Sequence, residues 1–191
     1  MAIRIIKATV NEANDIATTG RQSFYDAFHS IFIRKDELQK YLDTNYDVFK
    51  LRNSIENSNN LFFVAYDDDT PIGFAKLKQQ SRHQQIQSAK QIELQKIYVL
   101  KEYHGTGISQ TLLSKVMDAA NELQPDIVWL NVHVGNTKAR RFYEKNGFSI
   151  VGKHYYIIGT QKFEFDLMTI TVGHTTHEFK TITEPAGVAH R

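Results

Sequence analysis

Two glycines, Gly105 and Gly107, lie in the segment Tyr103–Ser109 (YHGTGIS), where a strand-like stretch gives way to a helix-like one. Glycine adopts positive φ and lets the backbone approach a ligand closely. The amides that open a helix point outward at the positive end of the helix dipole, so the segment predicts a phosphate cradle. It lacks the Lys-Ser/Thr pair of a Walker loop and the three glycines of the dinucleotide fingerprint. A plain turn explains the same two glycines without a ligand.

A second informative segment is Asn136–Phe148 (NTKARRFYEKNGF), which follows the strand-like run IVWLNVHV. Asn136 is typical of a helix N-cap, and Ala139, Phe142 and Tyr143 then share one helix face. Tyr143 is therefore either a core residue of a small amphipathic helix or a phenol available for chemistry.

Together the two segments resemble the GNAT superfamily of N-acetyltransferases. The acyl-CoA loop of that family, Q/R-x-x-G-x-G/A, corresponds to Glu102–Gly107, and its motif N-x-x-A-x-x-F-Y-x-x-x-G-F corresponds to Asn136–Phe148. Glu102 departs from the family pattern, which has Gln or Arg, and an acid there weakens one pyrophosphate contact. The resemblance covers roughly residues 1–170. Within these residues, the sequence pattern of Phe24–Leu51 and of IELQKIYVLKEYHGTG is similar to that of the PaiA-type enzymes. Those enzymes are associated with polyamine and small-amine acetylation in bacteria.

The resemblance implies an α/β fold with a mixed, mostly antiparallel twisted sheet flanked by helices. It also implies an acyl-CoA cleft between two splayed parallel strands, with acetyl-CoA as cosubstrate. The implied cofactor contacts fall into three groups along the cleft. They are Ile97, Tyr98 and Val99 for pantetheine, His104, Gly105, Thr106, Gly107, Ile108 and Ser109 for the pyrophosphate, and Asn136, Phe142 and Tyr143 for the thiol end.

The implied reaction is direct attack of an amine on the thioester. Because an amine with a pKa near 10 is mostly ammonium at neutral pH, a base is required. Glu93, on the strand before the glycine segment, is the candidate base, and its alternative is a solvent-facing strand carboxylate. Tyr143 is the candidate acid for the departing thiolate. His104 is expected to serve the phosphate loop rather than to act as the base.

The expected function is acetylation of a small primary amine such as a polyamine. A cationic acceptor requires carboxylates, and aromatic residues of the first helix are candidates for the wall of its site. The candidates are Glu93, Glu164, Asp166, Asp26 and Asp43 for charge, and Phe24, Tyr25 and Phe28 for the wall. Two alternatives stay open: acetylation of a protein or peptide N-terminus, and a non-catalytic CoA-binding regulatory module.

The elements that position these residues follow from hydrophobic periodicity and turn chemistry. A strand at Ile3–Lys7 precedes three helices, the first opened by a capping box at Thr9–Glu12. Two hairpin strands and a third strand follow, and the glycine-opened helix comes next. The order then continues as strand, helix, strand, strand. The predicted ranges after the first helix are 36–46, 48–57, 61–66, 71–78, 92–100, 107–120, 127–134, 136–146, 148–154 and 162–171.

Composition narrows the classes of protein further. The chain has 191 residues, no cysteine and a formal charge of +2. These values exclude disulfide scaffolds and thiolate metal sites, and they argue against a nucleic-acid or membrane partner. We expect one cytoplasmic acetyltransferase domain over residues 1–171.

Three segments outside the two motifs carry smaller expectations. Gln79–Lys90 is expected to be an exposed, glutamine-rich loop, and residues 172–191 a tail that could serve a homo-oligomer together with the last strand. No metal site is expected, because Asp67–Asp69 suits a hairpin turn and nothing nearby completes a site with His174 and His177.

Overall fold

Seven strands and five α-helices alternate along the chain in the predicted order. The computed structural model describes residues 2–173. The strands are β1 (Ile3–Lys7), β2 (Asn60–Asp67), β3 (Thr70–Lys78), β4 (Gln91–Val99), β5 (Ile127–His133), β6 (Ser149–Ile158) and β7 (Gln161–Thr171). The helices are α1 (Ala13–Phe28), α2 (Lys35–Asn45), α3 (Val48–Glu56), α4 (Ile108–Leu123) and α5 (Thr137–Lys145).

All seven strands form one sheet in the order β1-β2-β3-β4-β5-β7-β6. Every neighbouring pair is antiparallel except β4 and β5, which run parallel. Because parallel strands need a crossover connection, α4 links β4 to β5 across one face of the sheet. The expected mixed, mostly antiparallel sheet with one parallel pair is confirmed.

The two faces of the sheet carry separate hydrophobic cores, because side chains alternate along each strand. On β2, Phe62 and Val64 pack with α1, α2 and α3, whereas Phe63 and Ala65 pack with α4 and α5. Gly20 lies inside α1 and does not end the helix. A Cβ there would collide with the ring of Tyr46, so this glycine permits close packing.

The loop over Gln79–Lys90 is less exposed than its composition indicates. Ser81 and His83 are buried, and the Trp129 indole Nε1 donates to the Ser81 carbonyl at 3.0 Å. The His83 amide donates to Gln91 Oε1 at 2.7 Å. The expectation of a wholly exposed loop is therefore wrong, because hydrogen bonds to buried partners fix this polar segment over the sheet.

The β6–β7 hairpin is longer than predicted and continues through Tyr155–Ile158 to a two-residue turn at Gly159 and Thr160. β7 pairs on one side with β5 and on the other with β6, so its edges are not available for strand addition by a second copy. Among residues 2–173, no helix is long and apolar enough to cross a membrane. The same residues contain no group of three metal-ligating side chains. The tail residues 174–191, with His174 and His177, lie outside the described residues.

Candidate active site

The parallel strands β4 and β5 separate shortly after they begin. Three residue pairs join them, from Gln91 with Ile127 to Glu93 with Trp129. β4 then continues to Val99 without a β5 partner in the described part of the chain. Backbone N–H and C=O groups along this edge of β4 are available to a ligand, since unpaired main-chain groups need partners. The parallel pair is therefore splayed, as expected.

The glycine segment lies at the open end of this gap and leads into α4. Gly105 and Gly107 adopt φ of 82° and 90°, and a Cβ at either position would meet no atom within 4 Å. The Thr111 amide makes the first helical hydrogen bond, to the Gly107 carbonyl at 3.0 Å. The amides of residues 108–110 therefore have no acceptor within the helix, and they lie at the positive end of its dipole.

A cavity of about 520 Å³ connects the splayed strands with the glycine segment, and we call it the cofactor cavity. Most of the predicted cofactor residues line it. They are Ile97, Tyr98, Val99, His104, Gly105, Gly107, Ser109, Asn136, Phe142 and Tyr143.

Two predicted cofactor residues do not line the cofactor cavity. The Thr106 hydroxyl donates to the Tyr103 carbonyl at 2.6 Å, and Ile108 is buried in the core. Only the backbone of these two residues is suited to a ligand. The His104 Nε2 donates to the Val99 carbonyl at 3.0 Å, which ties the loop to the end of β4.

The wall opposite β4 is formed by α5. The Asn136 side chain accepts from the Ala139 amide at 3.1 Å and caps the helix, as predicted. Tyr143 is buried, and its ring lies 5.3 Å from that of Phe142 and 5.7 Å from that of Phe148. Burial raises the pKa of Tyr143 well above its ordinary value, so the phenol stays protonated near neutral pH.

Several residues that line the cofactor cavity were not predicted from the sequence, most of them because only tertiary packing places them there. Ser23 comes from α1, Lys101 precedes the glycine segment, and Lys138 lies in the first turn of α5. The Ser23 hydroxyl is buried and has no hydrogen-bond partner in the described part of the chain. Glu102 is exposed and carries no positive charge, unlike the Arg found at this position in the family pattern. The two lysines supply positive charge instead.

These features fit the acetyl-CoA expected from the motifs. The open glycine cradle and Lys101 suit a phosphate group, and the unpartnered Ser23 hydroxyl suits a polar group of the pantetheine arm. The unpaired backbone groups along the edge of β4 suit the amides of the pantetheine arm. Among the described residues, then, the donors present match a long, partly apolar molecule with an anionic end.

A larger cavity of about 810 Å³ adjoins the cofactor cavity, and Tyr98 lines both. We call it the acceptor cavity. Glu93 lines it, together with eight aromatic residues and several polar side chains. The aromatic lining residues are Phe24, Phe28, Phe32, Tyr41, Tyr98, Tyr156, Phe163 and Phe165.

A bulge in β4 determines which side chains reach the acceptor cavity. Lys76 pairs with Lys96 and Leu77 with Leu94, so Gln95 is the extra residue. A bulge reverses the alternation of side chains beyond it. Glu93 before the bulge and Lys96 after it therefore line the same cavity. The sequence holds the signal, because apolar residues stand at 92 and 94 and then at 97 and 99.

Glu93 is buried, with 8% of its surface exposed, and Ser81 Oγ donates to its Oε2 at 2.7 Å. The solvent-facing alternative for this carboxylate is therefore wrong. Ser81 is held in turn by the Trp129 indole, so the loop over β5 fixes the orientation of the carboxylate.

The other acceptor-site candidates are distributed differently. Phe24 and Phe28 line the acceptor cavity, whereas Tyr25 is exposed and its ring stacks on His29. None of the other four carboxylates predicted for the acceptor site lines the acceptor cavity. Asp26 lines the cofactor cavity, Asp43 pairs with Arg21, Glu164 pairs with Lys153, and Asp166 pairs with Arg140.

The tip of the β6–β7 hairpin closes one side of the acceptor cavity. The Thr160 amide and hydroxyl donate to the Glu37 carboxylate at 3.0 and 2.8 Å. Gln161 donates to the Ile31 carbonyl at 2.7 Å and accepts from the Ile33 amide at 2.9 Å. The hairpin is thus docked on the α1–α2 connection. The predicted strand ended at residue 154, so the hairpin tip was not predicted, although a Gly-Thr pair after the aromatic, β-branched run YYII is typical of a tight hairpin.

Comparisons with known proteins agree with this geometry. The family model described as acetyltransferase (GNAT) family matches residues 21–148. An uncharacterised N-acetyltransferase of Mycobacterium tuberculosis is 27% identical over 150 residues, which span 78% of this chain and 91% of that protein. N-alpha-acetyltransferase 30 of Schizosaccharomyces pombe is 30% identical over 132 residues, 68% of this chain and 86% of that protein. The crystal structure of PaiA N-acetyltransferase from Thermoplasma acidophilum with coenzyme A has a TM-score of 0.73 and 26% identity. It covers 90% of this chain and all of that one.

Proposed function

This chain belongs to the acetyltransferase (GNAT) family and is an acetyl-CoA-dependent N-acetyltransferase, and we propose that its acceptor is a small primary amine held in the acceptor cavity. The observation that carries the proposal is the docked β6–β7 hairpin. Its contacts with Glu37 and with the backbone of Ile31 and Ile33 hold the hairpin tip at the wall of the acceptor cavity. A docked hairpin favours a compact acceptor over an extended peptide.

We assign the cofactor contacts to the residues that line the cofactor cavity. Acetyl-CoA, when bound, supplies an acetyl group activated as a thioester. The open cradle at Gly105 and Gly107 is suited to its pyrophosphate, with Lys101 and Lys138 neutralising charge. The unpaired edge of β4 at Ile97–Val99 is suited to the amides of the pantetheine arm.

Glu93 is proposed to take the proton that a primary ammonium must lose. A lysine-like amine has a pKa of about 10.4 and is almost wholly charged at neutral pH. Glu93 lines the acceptor cavity, and the Ser81 hydroxyl fixes one of its oxygens. The other oxygen remains for the acceptor amine or for a water between them.

Tyr143 is proposed to hold the proton that the departing thiolate requires. Its raised pKa keeps the phenol in the donor form across the neutral range. Packing against Phe142 and Phe148 fixes the ring at the wall of the cofactor cavity. Burial also disfavours the charged thiolate of CoA at the same wall, and this assists proton transfer to it from the Tyr143 phenol, a weak acid.

We further propose kinship with the PaiA-type enzymes expected from the sequence. The similarity to the Thermoplasma acidophilum PaiA N-acetyltransferase supports it. A peptide N-terminus is the second candidate acceptor, supported by the 30% identity with N-alpha-acetyltransferase 30. That acceptor would require the hairpin to leave Glu37.

Release of free thiol from acetyl-CoA, measured with a panel of small primary amines, tests the proposal. We expect saturable release with an acetamide product, and loss of that release in a Tyr143→Phe protein that still binds CoA. Absence of any amine-dependent release would overturn the proposed function. Acetylation confined to peptide N-termini would move it to the second candidate.

A further inference from the structure

The carboxylates that line the acceptor cavity are already engaged by neighbouring groups. Asp36 forms an ion pair with Arg34 at 2.7 Å, and Glu37 accepts from the Thr160 amide and hydroxyl. Glu93 accepts from the Ser81 hydroxyl. Arg34 also lies 3.5 Å from Glu37, so among the described residues Glu93 is the lining carboxylate that has no cationic partner. A polycationic acceptor would therefore find one unpaired carboxylate in this cavity.

Its lysines are not engaged in the same way. Lys96 lines the acceptor cavity and forms no ion pair within residues 2–173. Its Nζ lies over the rings of Tyr46 and Tyr98, at 5.3 and 5.9 Å from their centroids. Lys40, at the same cavity, also forms no ion pair in the described part of the chain.

The position of Lys96 in the sheet makes its charge unfavourable. Lys76 on β3 is its direct partner in the antiparallel register, and like charges placed opposite each other destabilise a sheet. Burial and the neighbouring lysine lower the pKa of Lys96 to about 8, which Glu93 only partly offsets. Burial also lowers the pKa of Lys76 to about 8. An arrangement that opposes folding in this way is typical of a functional position.

We propose that Lys96, with Lys76 behind it, forms an anion-binding subsite in the acceptor cavity. The acceptor is then a small primary amine that also carries a carboxylate. This inference rests on the proposed function and specifies its substrate class. A bound carboxylate would give Lys96 the ion-pair partner that residues 2–173 do not provide, and charge-assisted contacts of this kind are strong in a desolvated site.

The two ends of such an acceptor match the two groups on β4. Glu93 receives the proton of the amine, and Lys96 binds the anionic end from the same strand and the same cavity. The aromatic walls, which include Phe24, Phe163 and Phe165, favour an apolar body between the two ends. The polyamine expected from the sequence would instead place a second cation beside Lys96.

The test compares acceptors that differ only in the group at the far end. Benzylamine, para-(aminomethyl)benzoate and para-xylylenediamine share a ring and a primary amine, and carry no group, a carboxylate or a second amine at the para position. We expect kcat/KM for the carboxylate to exceed that for benzylamine by about tenfold or more, with the diamine below both. Equal values for the first two would overturn the anion subsite while leaving the proposed function intact. Release of no thiol with any of the three would count against the proposed function itself.

Variants connect this selectivity to one side chain. In Lys96→Met, the ratio of kcat/KM for the carboxylate to that for benzylamine should fall about tenfold or more, and Lys96→Arg should retain it. Lys115→Met, on the exposed face of α4, is the matched control and should keep the wild-type ratio. A Lys96→Met protein with the wild-type ratio would overturn the assignment. If that variant does not fold, Lys96→Gln takes its place with the same expected fall in the ratio, and a wild-type ratio in Lys96→Gln would overturn the assignment.

Discussion

Replacing Glu37 by Ala should release the β6–β7 hairpin and relax the size selection of the acceptor cavity. The Glu37 carboxylate accepts from the Thr160 amide and hydroxyl, and only 11% of its side-chain surface is exposed. The hairpin turn lies directly against it, since a Cβ on Gly159 would collide with the carboxyl carbon. A hydrogen bond contributes about 0.5–1.5 kcal/mol net, so the two that Glu37 accepts from Thr160 contribute about 2 kcal/mol together at this partly solvated position.

A loss of about 2 kcal/mol corresponds to an increase of about 30-fold in the population with the hairpin undocked. Gln161 retains its two contacts with the α1–α2 connection, so we expect local opening rather than unfolding of the hairpin. An acceptor that requires the open form gains in proportion to that population. The ratio of kcat/KM for a short peptide with a free N-terminus to kcat/KM for benzylamine should therefore rise by about 30-fold.

Two measurements check this prediction together. Free-thiol release gives the ratio of kcat/KM values, and hydrogen exchange of the amides at the hairpin turn reports the opening. Asp43→Ala is the control, because Asp43 is an exposed carboxylate on the same helix that pairs with Arg21, away from the hairpin. If neither the ratio nor the exchange changes in Glu37→Ala, the docked hairpin does not select the acceptor, and the reasoning fails.

Three further predictions concern the cofactor cavity and the buried charges. Tyr143→Phe should lower kcat by about 100-fold, while its affinity for CoA, measured by calorimetry, stays within about twofold of wild type. The control Tyr103→Phe should change neither quantity. An unchanged kcat in Tyr143→Phe would show that Tyr143 is not the acid. Gly107→Ala should weaken CoA binding measured by calorimetry, because its φ of 90° strains any residue with a Cβ; wild-type affinity would argue against the cradle. The pKa values of Lys76 and Lys96 are lowered to about 8 in the folded chain, below the value of about 10.4 for an unfolded lysine. Between these values the unfolded chain binds more protons, so the free energy of unfolding should rise with pH from about 8 to about 9.5. The rise should be less steep in Lys96→Met. If the free energy of unfolding, measured by urea denaturation, changes equally with pH in both proteins, this prediction is wrong.

The order of strands and helices followed from the sequence because local signals agree with the final packing. The capping box at Thr9 and Glu12, the Asn136 cap and the glycine start of α4 are all present in the structure. Each depends on neighbours within a few residues, so periodicity and turn chemistry suffice to locate it. The glycine segment and the Asn136–Phe148 motif are also local signals. Most residues predicted from them to contact the cofactor therefore line one cavity.

The acceptor cavity could not be read from local signals. Its walls come from α1, α2, β4 and the tip of the β6–β7 hairpin, which are far apart in the chain. The role of Ser81 depends on a loop that folds back over β5, and its polar composition indicated only exposure. The bulge at Gln95, which places Lys96 beside Glu93, was visible only as a change in the phase of apolar residues.

Above all, we propose that acetyl-CoA bound along β4 acetylates a small primary amine in the neighbouring cavity. The most direct measurement is kcat/KM of the wild-type protein for a small amine and for a peptide with a free N-terminus, with the acetamide product identified by mass. We expect the small amine to be acetylated with the higher kcat/KM. Acetylation of the peptide alone, or of neither, would contradict the account.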